Sequence, residues 1–235
     1  MARLPRVVMP GHPHLVVHRA QRGQAAFLDD DDRVRYLAAL RDAARTAGVA
    51  IHAYALLPGE VRLLVTPEQE AGLAEMMQSV GRHYVRAFNQ RHGCNGTPWE
   101  GRFRSTVVEA DTKFLHCLKF VETVGHPMWP SHAEARANDA ASSVAHHLGA
   151  RPDPLVSDHP VFWALGNTPF EREAAYRRFM EQPAGDGEVA AILHAALNGW
   201  VLGSPAFVKW VGEHTGRRPQ RAPRGRPRKS SPVDP

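Results

Sequence analysis

The chain has 235 residues, enough for one sizeable α+β domain or for a domain with a helical extension. Hydrophobic residues make up 43% and charged residues 23%, as in ordinary globular proteins, and no apolar run approaches the roughly 18 residues that would span a bilayer. The net charge of +5 is uneven: seven of the 29 basic residues fall between Arg217 and Lys229, and without them 22 bases face 24 acids, a net of −2, so the basic end points to a polyanion partner.

The opening Met1-Ala2-Arg3-Leu4-Pro5-Arg6 has no long apolar stretch behind it, so no secretory leader is expected. Cys94 and Cys117 fit no CxxC pattern and are expected as two reduced thiols of a cytoplasmic protein. A first strand is expected near His14–Arg19. The acids Asp29 to Asp32 suit a helix N-terminus, and Val34, Leu37, Leu40 and Ala44 give the helix behind them an apolar face that Gly48 ends. Val49 to Leu57 reads as a strand, Pro58-Gly59 as a turn and Val61 to Val65 as a second strand closed by Pro67, together a hairpin. Leu73, Met76, Met77, Val80, Tyr84 and Phe88 line one face of a long helix, which leaves Tyr84 as core. Val107-Val108 is a short strand, and Phe114, Leu115, Leu118 and Val121 mark another helix.

That β-α-β-β-α-β-α order predicts an α+β fold: a ferredoxin-like split βαβ antiparallel sheet with its helices on one face. After about Gly125 come helical stretches near 133–148, 169–181, 188–197 and 205–213, a C-terminal helical extension. From Gly216 the chain is rich in Pro, Arg and Gly and too poor in apolar residues to fold alone. The expected divisions are therefore 1–125, 126–215 and a basic tail, 216–235.

The hairpin is where chemistry is sought. Side chains two apart on a strand share a face, so two histidines there can share a divalent cation, and a tyrosine on a packed helix can attack a nearby phosphorus. Several segments resemble the REP-associated tyrosine transposases, members of the insertion-sequence transposase family with the single-tyrosine HUH fold. They are Pro5-Arg6-Val7-Val8-Met9-Pro10-Gly11, Phe27-Leu28-Asp29-Asp30, His52-Ala53-Tyr54-Ala55-Leu56-Leu57 and Leu63-Leu64-Val65-Thr66-Pro67. The resemblance is strongest in Tyr84-Val85-Arg86-Ala87-Phe88-Asn89 and Trp99-Glu100-Gly101-Arg102-Phe103-Arg104-Ser105, and continues in Asp153-Pro154-Leu155 and Leu165-Gly166-Asn167-Thr168-Pro169.

The resemblance implies metal-assisted transesterification on single-stranded DNA, with two metal-binding histidines on the second hairpin strand and a nucleophilic tyrosine on the helix after Val107-Val108. Those positions read Glu60, Arg62 and Phe120, and the Asn-Pro that follows the tyrosine reads Val124-Gly125. Glutamate can ligate Mg²⁺, but a guanidinium has no lone pair to offer and phenylalanine has no hydroxyl. No cofactor is therefore expected; Mg or Mn belongs only to an alternative in which other residues, among them His12, His14, His18, His52, His116 and His126, replace the lost ligands.

What this leaves is DNA binding. Arg82, Arg86, Arg91, Arg102 and Arg104 are interleaved with Tyr84, Phe88, Trp99 and Phe103, a mixture of phosphate-contacting cations and rings able to stack unpaired bases. In the tail, Arg224-Gly225-Arg226-Pro227-Arg228-Lys229 resembles an AT-hook core, with Arg224 and Arg226 suited to an A·T-rich minor groove. The expectation is a catalytically inactive binder of single-stranded or hairpin DNA, nucleoid-associated in a bacterial cytoplasm and independent of membranes. Its alternatives are an active metal-dependent transposase or endonuclease using replacement ligands, and a folded relic without function.

Overall fold

A computed structural model of the chain describes residues 6–22, 24–123, 141–183 and 185–220. Four strands, β1 (His14–Arg19), β2 (Val49–Leu57), β3 (Glu60–Pro67) and β4 (Arg104–Val107), form one antiparallel sheet in the order β2-β3-β1-β4. Sequence-adjacent β2 and β3 form the hairpin across Pro58-Gly59, while β1 and β4 are reached by crossovers through helices. That is the ferredoxin-like arrangement expected from the element order.

The two crossover helices, α1 (Asp30–Ala47) and α2 (Gly72–His92), share one face of the sheet. Val16, Ile51, Tyr54, Leu56, Val61, Leu63 and Val65 point to them, and Phe27, Tyr36, Tyr84 and Trp99 fill the space with mutually tilted rings. Asp29 caps α1 by accepting the Asp32 N–H, and Gly48, at φ 61°, takes the left-handed turn that ends it. Val34 is not on the buried stripe of α1: it is 65% exposed, and the stripe runs through Asp32, Tyr36, Leu40, Ala43 and Ala44. Tyr84 is core as expected, its hydroxyl donating to the Ala26 carbonyl.

The opposite face is not open, as the expectation of helices on one face implied. Leu15, Val17, Ala53, Ala55 and Leu64 pack beneath α3 (Ala110–Thr123) and the helices α4 (Val144–His147), α5 (Pro160–Trp163), α6 (Pro169–Glu181) and α7 (Asp186–Asn198). The extension is thus a second layer on the same sheet, with α8 (Pro205–Thr215) beyond it. Of the helical stretch anticipated near 133–148, the described part is the short α4; 124–140 lie outside the described residues, as do Arg224, Arg226 and the rest of 221–235.

Both sheet edges are covered by this second half. Residues 141–143 bond along β2, Leu56 N–H to the Ala141 carbonyl at 2.8 Å and Ser143 N–H to the Tyr54 carbonyl at 3.0 Å. Leu202 does the same for β4, donating to Val107 at 2.9 Å and accepting from Glu109 at 2.8 Å. Covered edges remove a template for aggregation. A buried carboxylate ties the layers together: Glu122 of α3 accepts from Ser143 (2.5 Å), His147 Nδ1 (2.7 Å) and the Tyr176 hydroxyl (2.7 Å). No helix among the described residues is long and apolar enough to cross a membrane.

Candidate nucleic-acid interface

The three positions singled out for catalysis do meet in space. Glu60 and Arg62 are two apart on β3 and face α3, because Arg62 lies opposite Val17 and Ala55, which belong to that layer. Arg62 is 6% exposed; its Nε donates to Glu60 Oε1 at 2.5 Å, its Nη1 donates to the Phe120 carbonyl at 3.3 Å, and its guanidinium lies 4.4 Å from the centre of the Phe120 ring. The second Glu60 oxygen accepts Arg19 Nε at 3.0 Å. Burial draws the Arg62 pKa down, but the Glu60 carboxylate opposes this, and the group stays cationic.

These residues do not fit a divalent ion. Both carboxylate oxygens of Glu60 hold arginines, and a fixed guanidinium stands between Glu60 and Phe120. Nor do the histidines considered as replacements gather there. His14 is bonded to Met9 and His12, and His52 to Ser157 and Thr66. His12 packs on Phe207 and Trp210, and His116 pairs with Glu188 at 2.7 Å. His18 faces the other layer, stacked on Trp99, and His126 lies outside the described residues.

Among the described residues two other clusters offer ligand-like atoms, Asp29–Asp32–His92 and His146–His147–Asp158. Arg91 fills the first, contacting Asp29, Asp31 and Asp32. In the second, His146 Nδ1 accepts the Asp153 N–H at 3.0 Å, so its Nε2 carries the proton given to Asp158 at 3.2 Å. That assignment leaves the Nε2 lone pair unavailable to a metal.

The arginines converge on the other side of the sheet. Between α2 and the segment 97–103 runs an open groove of about 750 Å³, lined by Arg6, Arg82, Arg86, Arg102, His18 and Trp99 among others, with no acid in its wall. Helix α2 presents Arg82 and Arg86 one turn apart, on the side away from its buried Val80–Tyr84–Phe88 stripe. The 97–103 segment is held against β1 by paired backbone bonds: Gln21 N–H to Pro98 at 2.7 Å and Glu100 N–H to Arg19 at 2.8 Å. Arg6 reaches the groove by donating to the Phe103 carbonyl, 2.9 Å from Nη2, while stacking over the Phe103 ring. His18 sits under Trp99, ring centres 4.3 Å apart; burial is the main reason its pKa falls to about 4, so it is neutral at physiological pH.

Of the residues expected to contact DNA, Arg82, Arg86, Trp99 and Arg102 line this one groove. Arg104, at the start of β4, lines a smaller pocket next to it. Two expectations need correction. Arg91 points away, paired with the carboxylates of Asp29, Asp31 and Asp32 at the start of α1. Trp99 is 4% exposed with His18 on one face, so it walls the groove and does not present a free ring for a base. Arg6 and His18 were not anticipated as groove residues. Arg6 is 97 positions from Phe103, and no local pattern announces such a contact.

A four-stranded antiparallel sheet with two crossover helices on one face and α3 with the C-terminal helices on the other defines a ferredoxin-like α+β fold. No protein-family profile matches the chain, and no curated protein is similar to it by sequence. Among solved structures it has the fold of a REP-associated tyrosine transposase whose structure is bound to a REP hairpin: TM-score 0.52, 14% identity, covering 68% of this chain and 93% of that one. A protein of Deinococcus radiodurans R1 assigned as a transposase matches at 23% identity over 48% of this chain and 91% of that one, with a TM-score of 0.35 that carries no weight.

Proposed function

We propose that this chain is a DNA-binding member of the REP-associated tyrosine transposase family that no longer cuts DNA. Single-stranded or hairpin DNA is its partner, held by phosphate contacts from Arg82, Arg86 and Arg102 in the groove. The observation that carries the reading is the convergence of these arginines with Arg6 in one open, acid-free groove. A surface of that charge gathers the counterion-release energy that dominates nucleic-acid affinity. The solved relative's REP hairpin supports a structured DNA as ligand. Loss of cutting is supported by the Arg62 guanidinium lodged between Glu60 and Phe120, which excludes the cation, and by the missing tyrosine hydroxyl.

The test is fluorescence anisotropy with labelled hairpin DNA at two salt concentrations. Arg86→Ala and Arg102→Ala each weaken binding by about tenfold at low salt and flatten the salt slope by about one. Unchanged affinity in both variants overturns the groove assignment. The same hairpin, incubated with Mg²⁺ or Mn²⁺ and run on a denaturing gel, gives no covalent protein–DNA adduct; an adduct overturns the loss of catalysis.

A further inference from the structure

A second concavity lies at the edge of β4, where α7 ends and the chain returns after α8. It encloses about 70 Å³, room for one small group and not for a base. Four arginines line it, Arg6, Arg102, Arg104 and Arg217, beside Ser105 and Gly199, and no acid does. Arg217 is the first of the seven cations at the basic end, yet it is built into the fold. Gly216, at φ 61°, caps α8 and turns the chain, and the Pro219 carbonyl accepts the Val201 N–H at 2.9 Å. Gly199, at φ 67°, ends α7 with a left-handed turn beside Arg217.

Two residues of the lining each carry a buried polar atom with no hydrogen-bond partner among the described residues: Arg217 Nε and Ser105 Oγ. Ser105 as a whole is 5% exposed. Arg Nε can only donate, and a hydroxyl can donate, so both lack an acceptor of the kind an oxyanion supplies. Buried donors left unmade are expensive, and here, in an acid-free concavity lined by four arginines, an anion is the acceptor that suits both. The C-terminal end of α7 offers Arg217 a favourable dipole, but that leaves its Nε still unmatched.

We propose that this pocket binds a phosphate group, and that in the working protein the group is a backbone phosphodiester of the DNA in the larger groove. Arg6, Arg102 and Phe103 line both concavities, so a strand leaving the groove meets the pocket without crossing acidic surface. The C-terminal layer thereby joins the DNA surface through Arg217. The choice of DNA as the phosphate's source rests on the functional reading above; a free phosphate is the other source of the same chemistry.

The experiment compares the full chain with Arg217→Gln, Arg217→Lys and Ser105→Ala in hairpin-DNA anisotropy, and follows thermal unfolding in inorganic phosphate against chloride of equal ionic strength. The expected result is about tenfold weaker DNA binding for Arg217→Gln with the salt slope lower by about one, a retained slope for Arg217→Lys and a loss of about threefold for Ser105→Ala. Phosphate raises the melting temperature of the unmodified chain and not that of Arg217→Gln. If the unmodified chain binds DNA and both Arg217→Gln and Ser105→Ala match it, the DNA role of the pocket is overturned while the groove stands. If phosphate stabilises the chain but DNA affinity ignores Arg217, the ligand is free phosphate and the DNA assignment fails. If the unmodified chain binds no DNA, the groove reading fails with it. If phosphate and chloride act alike, the pocket is not a phosphate site.

Discussion

Replacing Arg62 with alanine removes three contacts at once: the ion pair to Glu60, the hydrogen bond to the Phe120 carbonyl and the guanidinium packed over the Phe120 ring. Truncating one partner of a buried pair costs about 3–5 kcal/mol, because the remaining charge is stranded. Here Arg19 still holds the other Glu60 oxygen at 3.0 Å, which lowers that cost. The lost ring contact restores about 1 kcal/mol of it. The expected loss is therefore about 3 kcal/mol, a fall of about 1–2 M in the urea midpoint for ordinary slopes. The companion variant Glu60→Gln/Arg62→Met removes both charges at similar volume and should cost about 1 kcal/mol or less, since such pairs are replaceable by apolar groups. Urea titration followed by circular dichroism reads both. If Arg62→Ala shifts stability by less than about 1 kcal/mol, or the double variant costs as much as the single, Arg62 is no strut between β3 and α3.

Burial is the chief cause that lowers His14, His18 and His52 to about 4 from 6.5, so the unfolded chain takes up protons below pH 6.5 while the folded one resists. Stability is full above 6.5 and falls as the pH drops toward 4, by about 2 kcal/mol per histidine at pH 5. His146, raised by its bond to Asp158, opposes this in part. Melting temperatures should therefore fall steeply between pH 6.5 and 5; a flat profile over that window would falsify the burial argument. Tyr176→Phe removes one of the donors to the buried Glu122 carboxylate and should cost about 1.5–3 kcal/mol by denaturant titration. No loss would mean that this network does not tie α6 to α3.

Much of the fold was legible because it is written in local periodicity. The apolar rhythm of α2 and the Pro58-Gly59 turn gave the right elements, and their order gave the sheet. Strand β4 was seen only at its end, since Arg104-Ser105-Thr106 has no apolar alternation and is held by pairing with β1 and by Thr106 bonding to Trp200. Val34 misled because its neighbours share its spacing, while Asp32 took the buried place it was expected to fill: a carboxylate satisfied by Leu28, Arg91 and His92 can be buried. The positions Glu60, Arg62 and Phe120 were legible through register. Which arginines share a surface was not. Arg91 belongs to α1 by charge pairing, and Arg6, Ser105 and Arg217 meet only when chain segments about a hundred residues apart are folded together.

The two faces of the sheet keep the Glu60–Arg62–Phe120 cluster apart from the proposed DNA groove. Arg62 and Glu60 point toward α3, while their neighbour Val61 points with His18 toward α2 and the groove. Alternation along one strand thus separates the two sites by the thickness of the sheet. Glu60, Arg62 and Phe120 fill the α3 layer with an ion pair and a ring, and none of them lines the groove. The pocket at the β4 edge is the place where the two layers meet, since Arg6, Arg102 and Phe103 come from the groove side while Leu197 to Gly199 close the α3 side. On the proposal above, a DNA strand held in the groove and passing Arg217 runs along the edge at which the two layers join.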